Sequence, residues 1–315
     1  MTTGVFKYMS ASAQHSLYRN GLVYMQRDAA GDDSTWVGAD LVDYQIEVGD
    51  ARTLAEGERK ILSRHGFELV HQPIDHLQVN FFDSHSLLGG YYPDCERIIQ
   101  EATGARLVKA FDHNVRSAQG KESQRKIAHG QNIQGPVHVV HGDYTLTSAP
   151  DRLRQLCSPP KTNDTYASRL SAGESLLEDP VVLKAMREGR FAIINVWRNI
   201  VDDPVEVNPL ALCDASTVVP EDLVVFEIRY ADRIGENYFA KYSQKHKWWY
   251  FPRMTKDEAL LIKQWDSEGG VAVSKGSISD SDISTFSFHT AFEDPNTADD
   301  APDRWSIEVR CAVVY

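Results

Sequence analysis

A mainly β sandwich or jelly roll with flanking helices is the fold class this sequence predicts. Three observations carry the expectation. Strand-like segments outnumber helical ones after residue 135, and they are short and separated by turn residues. No Gly-x-Gly-x-x-Gly or Walker pattern occurs, so a parallel α/β nucleotide-binding sheet has no support. No internal repeat or low-complexity linker divides the 315 residues, so one domain over 1–315 is expected.

Taken in order, Gly21–Met25 and Leu41–Val48 read as strands and Ala51–Arg64 as a helix. A second helix, Tyr92–Glu101, precedes the strand Ala105–Asp112. Residues 115–133 are rich in Ser, Gln, Lys and Gly and read as a mobile loop. The strand Pro136–Thr145 follows, then a helix from Ser148 (APDRLRQLC). Another helix spans Pro180–Arg187, with proline suited to its first turn and Gly189 to the position past its end. Phe191–Trp197 and Leu223–Tyr230 read as buried strands, and Asn237–Tyr242 with Lys247–Pro252 as a hairpin around a polar turn. Thr255-Lys-Asp-Glu258 has the form of a capping box ahead of an apolar helix, Ala259–Trp265. Strands return at Ser284–Phe292 and Ser306–Tyr315.

Composition narrows the function classes. A net charge of −12 argues against a nucleic-acid partner, which needs a basic stripe. No apolar run approaches the roughly 18 residues needed to span a bilayer, and the N-terminal stretch lacks the apolar core of a signal peptide. Cys95, Cys157, Cys213 and Cys311 are scattered without Cys-x-x-Cys spacing, as expected for reduced thiols in a cytoplasmic protein.

The chemistry-bearing feature is His141-Gly142-Asp143. In a strand, residues two apart point the same way, so this triplet sets an imidazole beside a carboxylate. Those are two of the three ligands of a 2-His-1-carboxylate site, the usual home of non-haem Fe(II) in oxygenases. With 11 histidines and 45 acidic residues, about 1.6 such triplets arise by chance, so context must support it. His289, in the apolar run Ser284–Phe292, is the candidate second imidazole; most other histidines sit in polar or helical settings. His138, three residues before His141, falls on the opposite strand face and reads as structural. On the C-terminal strand, Arg304, Ser306, Glu308 and Arg310 share one face. Two half-buried arginines need anionic partners. Glu308 can satisfy one, and the other is free to grip a carboxylate bidentately.

The order His-x-Asp, distal His, then Arg-x-Ser is that of 2-oxoglutarate-dependent oxygenases. From about Phe111 to Tyr315 the chain also resembles the fungal and bacterial hydroxylase/desaturase family of AsaB/CmcJ-like enzymes, which includes the novofumigatonin endoperoxidase. The residues carrying the likeness are Phe111–Arg116, His138–Thr145, Phe191–Arg198, Asn208–Ser216, Tyr250–Met254, His289–Pro295 and Arg304–Arg310. The resemblance implies a double-stranded β-helix (a cupin-like jelly roll), Fe(II), and 2-oxoglutarate with O2 as cosubstrates. It implies His141, Asp143 and His289 as metal ligands. Arg304 or Arg310, with Ser306 and Thr145, would bind 2-oxoglutarate; Arg304 is preferred because it opens the strand as Arg-x-Ser. Residues 1–110 would then be an N-terminal α/β extension packed on the barrel, and 146–285 an insertion between the metal-ligand strands.

The expected activity is hydroxylation, desaturation or oxidative cyclisation of a small-molecule secondary metabolite. Asn195, Trp197, Arg198 and Tyr230 are the candidate substrate contacts, with Tyr250 behind them. In regular alternation Asn195 and Trp197 share a face and Arg198 does not. The expected partner is that small molecule, with no nucleic acid and no membrane, and with a homodimer left open. Two other readings stand beside this one: an iron oxidase that dispenses with 2-oxoglutarate, and a non-catalytic cupin-like binding protein.

Overall fold

The computed structural model describes every residue except 28–32, 75, 162–163, 231–233, 278 and 280, together with the side chains of 33–35. Its strands are β1 (Thr2–Met9), β2 (Tyr24–Arg27), β3 (Asp33–Val37), β4 (Leu41–Asp50), β5 (Phe67–His71), β6 (Leu107–Arg116) and β7 (His141–Gly142). They continue as β8 (Phe191–Asn199), β9 (Leu210–Cys213), β10 (Leu223–Arg229), β11 (Ile234–Ala240), β12 (Trp248–Tyr250), β13 (Glu258–Asp266), β14 (His289–Ala291) and β15 (Ser306–Val314). A ten-stranded sheet runs β1-β4-β12-β9-β14-β7-β11-β10-β2-β3, and a five-stranded sheet runs β5-β13-β8-β15-β6.

Period-two alternation decides what each face does. Phe6, Tyr8, Ala211, Val225 and Tyr238 of the larger sheet meet Phe191, Ile193, Trp265, Ala312 and Val314 of the smaller one in a single apolar core. The other face of the five-stranded sheet is also covered. Ile194, Val196, Leu261, Val309 and Val313 pack under the helix Tyr92–Thr103 through Tyr92, Cys95, Ile98 and Ile99. That helix presents its apolar residues at three- and four-residue spacing. It has Pro93 in its first turn and ends on Gly104 in the left-handed region.

Only half of the smaller sheet's inner face is apolar. Across β6, β15 and β8 the register aligns Arg116 with Ser306 and Asn199, Asn114 with Glu308 and Trp197, and Asp112 with Arg310 and Asn195. Three neighbouring strands therefore lay a polar floor opposite the short strands β7 and β14.

Several expectations need correction. Residues 259–265 form no helix: β13 is an inner strand paired with both β5 and β8. Glu258 does reach back to the Thr255 N–H (3.0 Å), but it closes a turn. The run Ala259–Ile262 is buried throughout, and for so short an apolar run periodicity cannot separate strand from helix. Ala51–Arg64 breaks into the single turns Ala51–Thr53 and Glu56–Glu58 and the short α-helical turn Leu62–His65, with extended residues between the first two, because Ala51 and Leu54 instead pack with Phe251 and Trp249. The expected hairpin does not form: β11 pairs with β10 and β7, while β12 pairs with β4 and β9. Pro136–Thr145 and Ser284–Phe292 hold only the short strands β7 and β14. Residues 115–133 begin as the end of β6 and contain the helix Ala118–Glu122.

Candidate metal centre

His141 of β7 pairs directly with His289 of β14, and this one cross-strand pair places the two imidazoles side by side. Their ring centroids are 4.4 Å apart. Asp143 stands just past β7, and its carboxylate lies 3.6 Å from Nε2 of His141. One donor atom from each of His141, Asp143 and His289 falls within 4.8 Å of the other two.

Each donor is oriented by a neighbour. Nδ1 of His141 lies 2.8 Å from the Val139 carbonyl and Nδ1 of His289 lies 3.2 Å from the Ser287 carbonyl. A carbonyl only accepts, so each Nδ1 carries the proton and each Nε2 keeps its lone pair for the centre. Asp143 receives Nδ2 of Asn195 (3.3 Å) and Nε of Arg310 (3.5 Å) on its carboxylate, and its own N–H donates to Oε1 of Gln264 (3.3 Å). Gln264 sits where the β13–β8 register shifts between Lys263 and Trp265, a bulge of the kind that re-aims a side chain beside a site.

Electrostatics prepare the same state. Burial, and then the neighbouring His289, push His141 down to about 4, so it is neutral at physiological pH. Burial alone would raise the carboxyl of Asp143, but Arg310 and the two imidazoles outweigh it and hold the group ionised, well below the usual carboxylate range. Two neutral imidazoles and an anionic carboxylate, largely withdrawn from solvent, suit a divalent iron ion.

The two arginines of β15 and its approach differ in their partners. Arg310 is saturated, with Asp112 at 2.9 Å, Glu308 at 3.0 Å and Asp143 at 3.5 Å. Arg304 makes no ion pair among the described residues. Its Nη1 donates to the Asn208 carbonyl, while its buried Nε has no partner. Burial, and the nearby Arg116, lower its value to about 9. The buried hydroxyl of Ser306, two residues on, is also unpartnered. A cavity runs from His141, Asp143 and His289 past Trp197 to Arg304 and Arg116. Arg304 therefore offers the open guanidinium, and Arg310 braces Asp143.

The remaining candidates divide. Asn195 and Trp197 share the inner face, Asn195 touching Asp143 and Trp197 lining the cavity. Arg198 is a correction: it points to the opposite face. There its guanidinium meets the Tyr91 hydroxyl (3.0 Å) and the carbonyls of Gln72 (2.7 Å) and Lys256 (2.6 Å). Tyr230 is another, lying past β10 beside Arg27 of β2 and away from the cavity. Thr145 is a third, because its hydroxyl donates to buried Glu236 (2.7 Å) and accepts from the N–H of Ser148 (3.0 Å). Tyr250 reaches Asp294 (3.4 Å) in a separate depression. Arg116 and Gln264 were not anticipated. The alternation Asp112, Asn114, Arg116 was a readable signal for the first; the second depends on a bulge that leaves no mark in the sequence.

Residues 6–314 match a family described as "Oxidoreductase/YMDC permease-like domain". No described helix is long and apolar enough to cross a membrane. The chain is 43% identical over 194 residues to an uncharacterized protein in the dcmA 3′ region of Methylophilus leisingeri, covering 61% of this chain and 88% of the relative. It is 32% identical to the Fe(II)/2-oxoglutarate-dependent dioxygenase nvfI of Aspergillus novofumigatus, over 80% of this chain and 77% of the relative. The fold matches a solved structure titled iron and alpha-ketoglutarate-dependent endoperoxidase NvfI, with TM-score 0.71 and 24% identity over 99% of this chain and 97% of the other. Family match, identity and the His-Asp-His group agree, and the chain belongs to the Fe(II)/2-oxoglutarate-dependent dioxygenases within that oxidoreductase family.

Proposed function

We propose that His141, Asp143 and His289 hold Fe(II), and that Arg304 with Ser306 holds the distal carboxylate of 2-oxoglutarate. The observation that carries this reading is the cavity lined by the three donors and by a buried guanidinium that makes no ion pair among the described residues. The lining matches a dicarboxylate in charge, because one end suits a cation and the other needs an anion. Arg116, paired with Ser306 across β6 and β15, adds positive charge at the same end.

Bound iron and 2-oxoglutarate supply the oxidising equivalents for attack on a substrate C–H bond, with O2 consumed and succinate and CO2 released. The chain's own residues orient and enclose. Val139 and Ser287 fix the imidazole tautomers, while Asn195, Gln264 and Arg310 fix Asp143. Trp197 walls the cavity between the metal group and Arg304.

The substrate is a small secondary metabolite, undergoing hydroxylation, desaturation or oxidative cyclisation. Support comes from relatives named a hydroxylase/desaturase in Penicillium oxalicum and an alpha-ketoglutarate-dependent dioxygenase in Talaromyces stipitatus. The four free cysteines and the charge of −12 support a reduced, cytoplasmic setting and no polyanionic partner. Substrate-dependent succinate release with Fe(II) and 2-oxoglutarate tests the reading. His141→Ala and Asp143→Ala are expected to abolish it; release that persists in either variant would reject the assignment.

A further inference from the structure

A second pair of imidazoles with a carboxylate stands on the surface. Asp83 and His85 flank Ser84, His129 comes from the loop after the helix Ala118–Glu122, and one donor atom from each lies within 4.8 Å of the other two. The backbone ties the two segments together: the Ser84 N–H donates to the Ala128 carbonyl (2.9 Å), and the Ala128 N–H to the Phe82 carbonyl (2.9 Å). Asp83 is fixed at both oxygens. Oδ2 accepts from the Ser86 N–H at 2.8 Å, and Oδ1 faces Nδ1 of His129 at 3.0 Å.

His129 has φ of +56°, a conformation that favours glycine, yet the residue here is a histidine. That backbone lays its ring over His85, with centroids 4.6 Å apart and planes inclined by 15°. A 3.0 Å gap between nitrogen and oxygen is spanned by metal bonds of about 2.0–2.2 Å at an angle near 90°.

We propose that Asp83, His85 and His129 form a second metal site, taking a borderline transition cation such as Zn2+ with water completing the shell. Two imidazole nitrogens and one carboxylate select such an ion over Mg2+ or Ca2+, which prefer oxygen. The competing account is an exposed His129–Asp83 ion pair, which by itself binds nothing. A bound ion cross-links two segments that already converge on Trp305, the neighbour of Arg304. Phe82 packs edge-on against the Trp305 ring at 5.4 Å, and Arg125 lies over it at 5.0 Å.

The test is Zn2+ titration of the metal-free full-length protein against a chromophoric chelator, in three forms. The unaltered chain is expected to take two equivalents, while His85→Ala/His129→Gly and His141→Ala/His289→Ala each take one. Glycine suits the positive φ, so melts of the surface variant in chelator should match the parent. Should the double variant fail to fold, His85→Ala alone provides the same readout at an exposed position. Zn2+ is also expected to raise the melting temperature of His141→Ala/His289→Ala. A surface variant that binds as many equivalents as the parent, or a His141→Ala/His289→Ala protein that binds none, would overturn the proposal and leave an exposed ion pair only.

Discussion

Replacing Arg304 by Met separates the two arginines on one strand face. In the free protein this residue is 3% exposed, makes no ion pair among the described residues and leaves Nε without a partner. Its value is lowered to about 9 by burial and by Arg116, so the positive charge is disfavoured in the folded state. Removing it should leave the metal-free protein no less stable, because a buried cation without an ion pair gives way to an apolar side chain. Binding changes in the opposite direction. A carboxylate gripped by two charge-assisted hydrogen bonds loses about 3–5 kcal/mol when the guanidinium goes, which weakens 2-oxoglutarate roughly 10²- to 10⁴-fold. The assay is anaerobic titration of 2-oxoglutarate into the Fe(II)-loaded protein, followed by the charge-transfer absorption of the chelate, beside urea melts of the metal-free forms. Iron affinity should hardly change, because Arg304 does not contact Asp143. Unaltered 2-oxoglutarate affinity in Arg304→Met would refute the assignment of the open guanidinium as the anchor, whatever its effect on stability.

Other perturbations check the supporting residues. Arg310→Met strips the cation from Asp112, Glu308 and Asp143 together, and should cost about 3–5 kcal/mol in urea melts and weaken iron binding about 10- to 100-fold. Thr145→Val leaves buried Glu236 without one donor and uncaps the turn into Ser148. It should cost about 1–3 kcal/mol, with an unchanged KM for 2-oxoglutarate. The pH dependence of the metal-free protein follows from His141. Its folded value, about 4, lies below the ordinary 6.5, so between those pH values the unfolded chain binds a proton that the folded chain refuses. Stability therefore falls as pH drops from 6.5 to 4, by about 3 kcal/mol from this group, and urea melts of His141→Gln across that window should be correspondingly flatter.

Local pattern made much of the site readable. His141 and Asp143 are two apart, Arg304, Ser306 and Arg310 lie on one alternating face, and Asn195 shares a face with Trp197 but not with Arg198. Each relation follows from the period of a strand, and the structure keeps each of them. Where the reading failed, the local signal was ambiguous. Ala259–Trp265 carries a helix-start motif and an apolar run that suits either period, and pairing with β5 and β8 decides for strand. Thr145 lies on the same short stretch as Asp143, but the chain turns after β7 and aims its hydroxyl at Glu236 instead.

By itself, then, the sequence made legible the His141–Asp143 pair, the strand-rich class and the polar face of the last strand, because these depend on residue type and on spacing within one element, whereas His289 joins that pair only through the β7–β14 pairing. Tertiary structure alone decided which arginine is open. Asp112 and Asp143 come from distant segments, and only the β6–β15 register and the end of β7 bring them to Arg310, leaving Arg304 to face the cavity with no carboxylate partner among the described residues. The sequence cannot show this, because charge pairing in a buried floor depends on which strands are neighbours.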